Sequence, residues 1–405
     1  MHVIILDLTH GGDILAEEFL KEGHRVTCVD VYGIATQDAM DALAEKGAEV
    51  HRTVPVGEYD LLVSPAHCPD SFMEGSTYRE RMTFSRAVNR FLDDGRFRIE
   101  VTGVKGKTSS CYLLAHILGT SGRTVFLHTS RGRGPWKNGG HDITGQMSIA
   151  PTSLMRLPSE DYDVIIEEVS LGGSGKADIA VITNLAQDYG IAGNTRRASD
   201  AKADILTDGI NIVCKKELGI WEKYGKRTFY PFGGNVSAIE GGMRMGEPLC
   251  IRITYNGSHS IRLDGGYLSL SYLRSVDVVL EICEAMDIPT KDVLDGLRTF
   301  KGVPGRGEIR KSDGRWHVLE RNPGISHISI GMTLESLKKL GALDDAVVII
   351  DPVNRKVCDK MDMDSISETV SKYGVRLLLT DPDGERPVIP EEVTTVVEFI
   401  KEGFQ

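Results

Sequence analysis

Ten residues at 101–110, VTGVKGKTSS, join an apolar stretch (Phe97, Ile99, Val101) to the helical pattern CYLLAHIL. A turn with Gly103, Gly106, Lys107, Thr108 and Ser109 between strand and helix has one evident use. Glycines let successive backbone N–H groups fold inward as an anion nest, and the following helix N-terminus adds partial positive charge. Lys107 would reach the β- and γ-phosphates of ATP, and the Thr108 hydroxyl would ligate Mg²⁺. Val104 and Lys105 complete the nucleotide loop. The spacing is not that of the common phosphate loop, because the position five before Gly106 is Val101.

The elements around this turn read as an α/β protein. Residues 1–95 open with a strand (HVIILDL), a turn (THGGD), a helix carrying Ile14, Leu15, Phe19 and Leu20, and a strand (RVTCVDV) ending near Asp30. This βαβ unit lacks the G-x-G-x-x-G fingerprint and shows only Gly11-Gly12, so a dinucleotide site is disfavoured. A third strand (YDLLVSPAH) and an amphipathic helix around RMTFSRAVNRFL complete the first domain. Residues 96–305 alternate apolar strands and helices, which predicts a parallel sheet covered on both faces, followed by hairpins between Phe229 and Tyr272. Residues 306–405 restart the alternation, giving a third, Rossmann-like α/β domain.

Composition narrows the classes. The chain has 405 residues, 41% hydrophobic and 26% charged, with net charge −11. That length suits two or three domains, and the acidity argues against bulk nucleic-acid binding. Seven cysteines lack any C-x-x-C pair, which points to a reducing compartment rather than disulfides or structural zinc. No apolar run reaches the roughly eighteen residues of a membrane span, and the start lacks a signal-peptide pattern. The expectation is a cytoplasmic monomer or small homo-oligomer acting on a small molecule, with no membrane partner.

The glycine spacing of the phosphate loop resembles that of the Mur ligase and folylpolyglutamate synthetase superfamily, and further stretches match in order. IIEEVS resembles a strand ending in a Mg²⁺-binding carboxylate, which implies Glu168 rather than Glu167. ADIAVITNLAQDY resembles a strand running into Thr-Asn, which puts Asn184 at the nucleotide. The histidine usual a few residues later is Tyr189 here. ASDAKADIL resembles the helix whose lysine is carbamylated in many members, nominating Lys202 for catalysis and metal binding. GVPGRGE implies that Arg306 serves the nucleotide phosphates, and LERNPG puts Glu320 in place of a ribose-binding aspartate, with Asn322 beside it. The usual adenine-contacting helix start is YLRSVDVV here, and no adenine contact is assigned. The resemblance implies three domains, a central ATPase sheet, and transfer of the γ-phosphoryl of ATP to a substrate carboxylate. Lys107, Glu168 and Lys202 are the implied catalytic residues.

Two local basic clusters stand against the acidic whole: Arg131, Arg133, Trp136 and Lys137 after a central strand, and Arg196-Arg197 near Lys202. Arginine forks suit several carboxylates at once, and Trp136 offers a flat apolar face. A planar polycarboxylate would satisfy both clusters. The segments SIAPTSLM, VSLGGSGKADIAVITN and YGIAGNTRRASDAK narrow the resemblance to the Mur-like ligases of methanogens that act on a nickel tetrapyrrole acid. Those ligases activate a propionate and close a carbocycle by C–C bond formation. Amide-forming amino-acid or peptide ligation, a nucleotide-dependent switch, and an NAD-linked oxidoreductase are the competing classes. No base for ring closure is evident; His67, His128 and His141 are expected in loops.

Overall fold

The computed structural model describes residues 1–401, leaving aside 138–139, 146, 186–187, 240, 352–360 and 382–384. Its opening run of apolar residues forms β1 (His2–Leu6), paired in parallel with β2 (Arg25–Val29) and β4 (Glu58–Ser64). β3 (Glu49–His51) and β5 (Thr77–Thr83) flank them, in the order β3-β2-β1-β4-β5. The sequence expectation missed both edge strands. β5 reads TYRERMT, a polar pattern, because an outer strand buries little and charges there discourage edge-to-edge pairing. Arg81, Met82 and Thr83 thus belong to β5, and the helix expected from them is shorter.

Three helices accompany this sheet: α1 (Gly12–Lys21), α2 (Gln37–Glu45) and α3 (Phe84–Phe91). Leu15, Phe19, Phe84 and Val88 pack with Val3, Ile5, Val26 and Val63 in one core. Each such side chain contributes roughly 1.5–3 kcal/mol by leaving water. Leu154 and Val169 of the following segment join the same core, so the first sheet is docked on what comes next. Gly11 has φ +85, and a Cβ there would lie 2.2 Å from Thr152 Oγ1. The glycine pair therefore serves a close packing of the β1–α1 turn. Asp30 is consumed by its own loop, accepting from Ile34 N, Ala35 N and Arg52.

The second sheet contains β6 (Arg98–Thr102), β7 (Val125–Thr129), β8 (Gly132–Lys137), β9 (Gly140–His141), β10 (Val164–Glu168) and β11 (Ile179–Ile182). After a hairpin of β12 (Gly190–Ile191) and β13 (Arg196–Arg197), it is completed by β14 (Ile210–Cys214) and β15 (Phe229–Phe232). The order is β15-β14-β11-β6-β10-β7-β8-β9, parallel as far as β7 and antiparallel at β8 and β9. α4 (Lys107–Thr120) follows β6, and the short α5 (Ala198–Lys202) and α6 (Leu218–Trp221) follow β13 and β14.

Beyond Phe232 come an antiparallel sheet, β16 (Val236–Ala238), β17 (Leu249–Thr254) and β18 (Ser258–Leu263), then α7 (Leu273–Ala285) and α8 (Thr290–Thr299). The last sheet joins β19 (Arg306–Ser312), β20 (Arg315–Arg321), β21 (Ala346–Asp351), β22 (Arg376–Leu379) and β23 (Thr395–Ile400), with α9 (His327–Lys339) and α10 (Met363–Lys372). Its order is β19-β20-β23-β21-β22. The sequence expectation missed β23, which lies mid-sheet, parallel to β20 and β21.

Contacts gather into two compact units: residues 1–107 with 123–232, and residues 108–122 with 233–405. Within the second, Gly296 of α8 allows close approach to α4, since a Cβ there would lie 2.6 Å from Ile117. Six cysteines are free thiols, and Cys358 lies outside the described residues. No described helix is long and apolar enough to cross a membrane.

Candidate active site

β6 delivers the chain into a turn that needs glycine. Gly103 has φ +137, and a Cβ there would lie 2.1 Å from Thr183 Oγ1. Gly106 also has positive φ, at +85. The turn is clamped by the end of β11. Asn184 O accepts from Val104 N at 2.9 Å, and Asn184 Oδ1 from Lys105 N at 3.2 Å. The Lys105 carbonyl accepts from Thr183 Oγ1 at 2.6 Å and from Asn184 Nδ2 at 2.7 Å. Both ends of the Asn184 amide thus hold loop backbone. That makes Asn184 a positioning residue for the loop, and Thr183 a partner that sequence reasoning missed.

Two lysines converge on the turn. Lys107 Nζ donates to the Gly103 carbonyl at 3.1 Å, and Lys202 Nζ donates to the same oxygen at 3.2 Å and to Ser170 O at 3.1 Å. Lys202 is 1% exposed. Its burial, and next the charge of Lys107, hold its pKa well below the usual lysine range.

The adjacent carboxylates of β10 point to opposite faces, as strand alternation requires. Glu168 lies 3.7 Å from Lys107 Nζ and accepts from Ser130 N at 3.1 Å. Glu167 instead meets Arg98 at 2.5 Å, and Arg98 also holds Asp94 at 2.8 Å. Burial pushes the Glu167 carboxyl up to about 7, with Arg98 opposing that rise. Glu167 is therefore a buried structural ion pair, and Glu168 is the carboxylate on the lysine side. Glu100 on β6 is likewise internal, accepting from Ser174 N at 2.7 Å. Tyr189, where a histidine is usual, is 43% exposed, and neighbouring Asp188 caps α5 through Ser199 N and Oγ at 2.9 Å.

Most of the first basic cluster lies on a strand of its own. Residues 132–137 form β8, antiparallel to β7, because alternate residues of GRGPWK pack inward. Trp136 is 3% exposed and packs on His141, so it presents no open ring face. Arg133 donates to Arg156 O at 2.6 Å and covers the Phe126 ring, and burial lowers its pKa. Lys137 lies 3.6 Å from Glu160. Arg131, half-buried, sits beyond the end of β7, where its backbone N–H donates to Thr129 Oγ1. In the second cluster, Arg196 donates to Ala66 O at 3.3 Å and Asp70 at 2.9 Å, tying β13 to the turn after β4. Arg197 donates to Asp188 O at 3.1 Å.

Two of the three histidines expected in loops lie on strands instead. His128 lies in β7, buried, and desolvation pushes it down to about 4. His141 lies in β9. Only His67 occupies a loop, and it is half-buried. In the second unit, Thr108 is buried and Ser109 partly so. Arg306 and Glu320 stand opposite each other across β19 and β20. Tyr272 donates to the Arg306 carbonyl at 2.9 Å, Thr333 donates to Glu320, and Asn322 N pairs with Ile400 O.

Residues 101–210, from the phosphate loop through Lys202, match the Mur ligase middle domain family. The chain carries a Mur ligase middle domain. A curated relative, "Coenzyme F(430) synthetase" of Methanosarcina acetivorans, is 28% identical over 99% of this chain and 94% of its own length. The protein of that name from Methanocaldococcus jannaschii is 24% identical, covering 95% of this chain and 91% of its own. Among solved structures, UDP-N-acetylmuramate-alanine ligase MurC from Thermotoga maritima superposes with a TM-score of 0.52. It is 15% identical, with 100% of this chain and 96% of that one covered, so the likeness speaks for the fold. That fold is α/β in three domains. The chain is an ATP-dependent ligase enzyme.

The two adjacent carboxylates are separable by experiment. Glu167→Ala leaves Arg98 buried beside Asp94 alone and is expected to lower unfolding stability by about 3–5 kcal/mol. Glu168→Gln keeps shape and is expected to leave the urea midpoint nearly unchanged while reducing ATP turnover at least about 100-fold. Equal stability losses in both variants would remove the distinction.

Proposed function

We propose that this Mur ligase closes a carbocyclic ring on a nickel tetrapyrrole acid, consuming ATP. The observation that carries the reading is the near full-length match to two proteins named Coenzyme F(430) synthetase, with Lys107 and Lys202 meeting at the Gly103 carbonyl and Glu168 beside Lys107. A propionate oxygen attacks the γ-phosphorus, giving an acyl phosphate and ADP. A carbon nucleophile of the same molecule then displaces phosphate, forming the C–C bond. The proton lost from that carbon goes to a base that no residue is assigned to be.

The chain's own part is positioning and charge. The clamped turn from Gly103 to Lys107 holds the phosphates in one place, and Lys107 offsets the charge of two anions brought together. Glu168, a carboxylate 2% exposed at a strand end, suits a hard cation, since magnesium prefers oxygen donors. With Thr108 and a carbamate on Lys202 it would hold Mg²⁺, which supplies neutralisation of the phosphate oxygens. A lysine whose ammonium form is disfavoured by burial is suited to taking up carbon dioxide as a carbamate. Arg306 and Glu320 are proposed for the nucleotide's phosphates and ribose, and Arg131, Arg196 and Arg197 for substrate carboxylates. Gly103, Val104, Lys105, Gly106 and Ser109 complete the nucleotide set. The proposed domain division is 1–95, 96–305 and 306–405.

Purified protein with Mg²⁺ and ATP is expected to release stoichiometric ADP with the nickel seco-tetrapyrrole acid, the product lighter by one water. ADP release only with UDP-linked acceptors and amino acids would instead assign a peptide ligase. Carbamylation has its own readout. Dialysis free of carbon dioxide at mildly acid pH is expected to lower turnover, and bicarbonate to restore it. Activity indifferent to both treatments would leave Lys202 as an unmodified amine.

A further inference from the structure

The first sheet has a crevice that the nucleotide chemistry does not use. Its strand order reverses between β1 and β4, and in open α/β sheets such a switch point leaves a crevice beyond the carboxyl ends of the strands. The turn after β1 brings Asp7 and His10 there, and the turn after β4 brings His67.

Asp7 is fully buried and orients its neighbour. Its Oδ1 accepts from Thr9 N at 2.7 Å and His10 N at 3.3 Å, and its Oδ2 pairs closely with His10 Nδ1. That is how a carboxylate fixes the tautomer of a ligating imidazole, leaving Nε2 for a metal. The His67 ring lies 5.1 Å from His10, nearly perpendicular to it. Neither His10 Nε2 nor either His67 nitrogen makes a hydrogen bond among the described residues. One ligand atom from each of the three residues lies within 4.8 Å of the others. Tyr32 stacks on His67 and meets the edge of Phe72, so the crevice wall is aromatic.

Both turns are held from outside their own sheet. Thr152 Oγ1 donates to the His10 carbonyl at 2.6 Å, and Arg196 donates to Ala66 O and Asp70 on either side of His67. A pair of solvated loop histidines would need neither brace.

We propose that His10 and His67, with Asp7, form a site for a borderline divalent metal of the nickel, cobalt and zinc class. Imidazole nitrogens select those ions over magnesium, which separates this site from the phosphate loop. The metal has two possible sources: a free ion, or the ion at the centre of a bound macrocycle, to which an imidazole would be an axial ligand. The second source rests on the proposed tetrapyrrole function; the first does not.

The test uses full-length protein stripped with a chelator. In one arm Ni²⁺ and Co²⁺ are titrated, with metal content after desalting and the cobalt visible bands as readouts. In the other, the nickel seco-tetrapyrrole acid is added and nickel X-ray absorption reports axial nitrogen. One equivalent of ion, or axial nitrogen on the macrocycle, is expected. His10→Ala and His67→Gln should each weaken that signal at least about 10-fold. His67→Gln removes no hydrogen bond, so it keeps the test open should His10→Ala fail to fold. Binding or coordination unchanged in the folded variants, or none in wild-type protein in either arm, overturns the proposal. Free-ion binding without macrocycle turnover would keep this site and overturn the tetrapyrrole function. Turnover without axial nitrogen or ion binding would do the reverse.

Discussion

Two ammonium groups meet at one carbonyl oxygen, that of Gly103, and most of the active-site architecture answers to that meeting. Two like charges sharing one acceptor repel, more strongly the less water screens them. The structure relieves the conflict by burying Lys202, so that its charged form is disfavoured, and by setting Glu168 beside Lys107. Gly103 must be glycine because Thr183 fills the space where a side chain would stand. Thr183 and Asn184 in turn fix the backbone on which the carbonyl sits. On the proposed function, an arriving polyphosphate would supply the negative charge this arrangement lacks.

The first sheet is tied into the same unit at several points. Thr83 donates to Asp204 at 2.8 Å, two residues past Lys202, and Asn89 donates to Ser174 O at 2.8 Å. Arg196, six residues before Lys202, holds the turn carrying His67. The switch-point crevice and the lysine-bearing helix therefore belong to one hydrogen-bonded frame. A substrate recognised in the crevice would find its position fixed relative to Lys202, which is what an in-line transfer needs.

Much of this was legible in the residues, for reasons of periodicity and spacing. Long apolar strands such as YDVIIEEVS and ADIAVITN announce themselves because both their faces are buried. Glu168, nominated over Glu167 by resemblance, lies near Lys107, while Arg98 takes the Glu167 carboxylate. Edge strands were harder: β5 is polar, and β3 has three residues. β23, TVVEFI, was passed over although Pro387 and Pro390 punctuate the chain before it. Trp136 looked available beside arginines and glycines, yet strand pairing turned it inward. The Asp7, His10 and His67 cluster could not be read at all, since its members come from two turns that only the sheet order brings together.

Direct transfer of phosphate to a substrate carboxylate is the central claim, and isotope transfer tests it most directly. The substrate acid would carry ¹⁸O in its carboxylate, and the phosphate released during turnover would be analysed by mass. Acyl phosphate formation predicts one ¹⁸O atom in each phosphate, lost together with turnover in Lys107→Ala. Unlabelled phosphate from a protein that forms product would contradict the account.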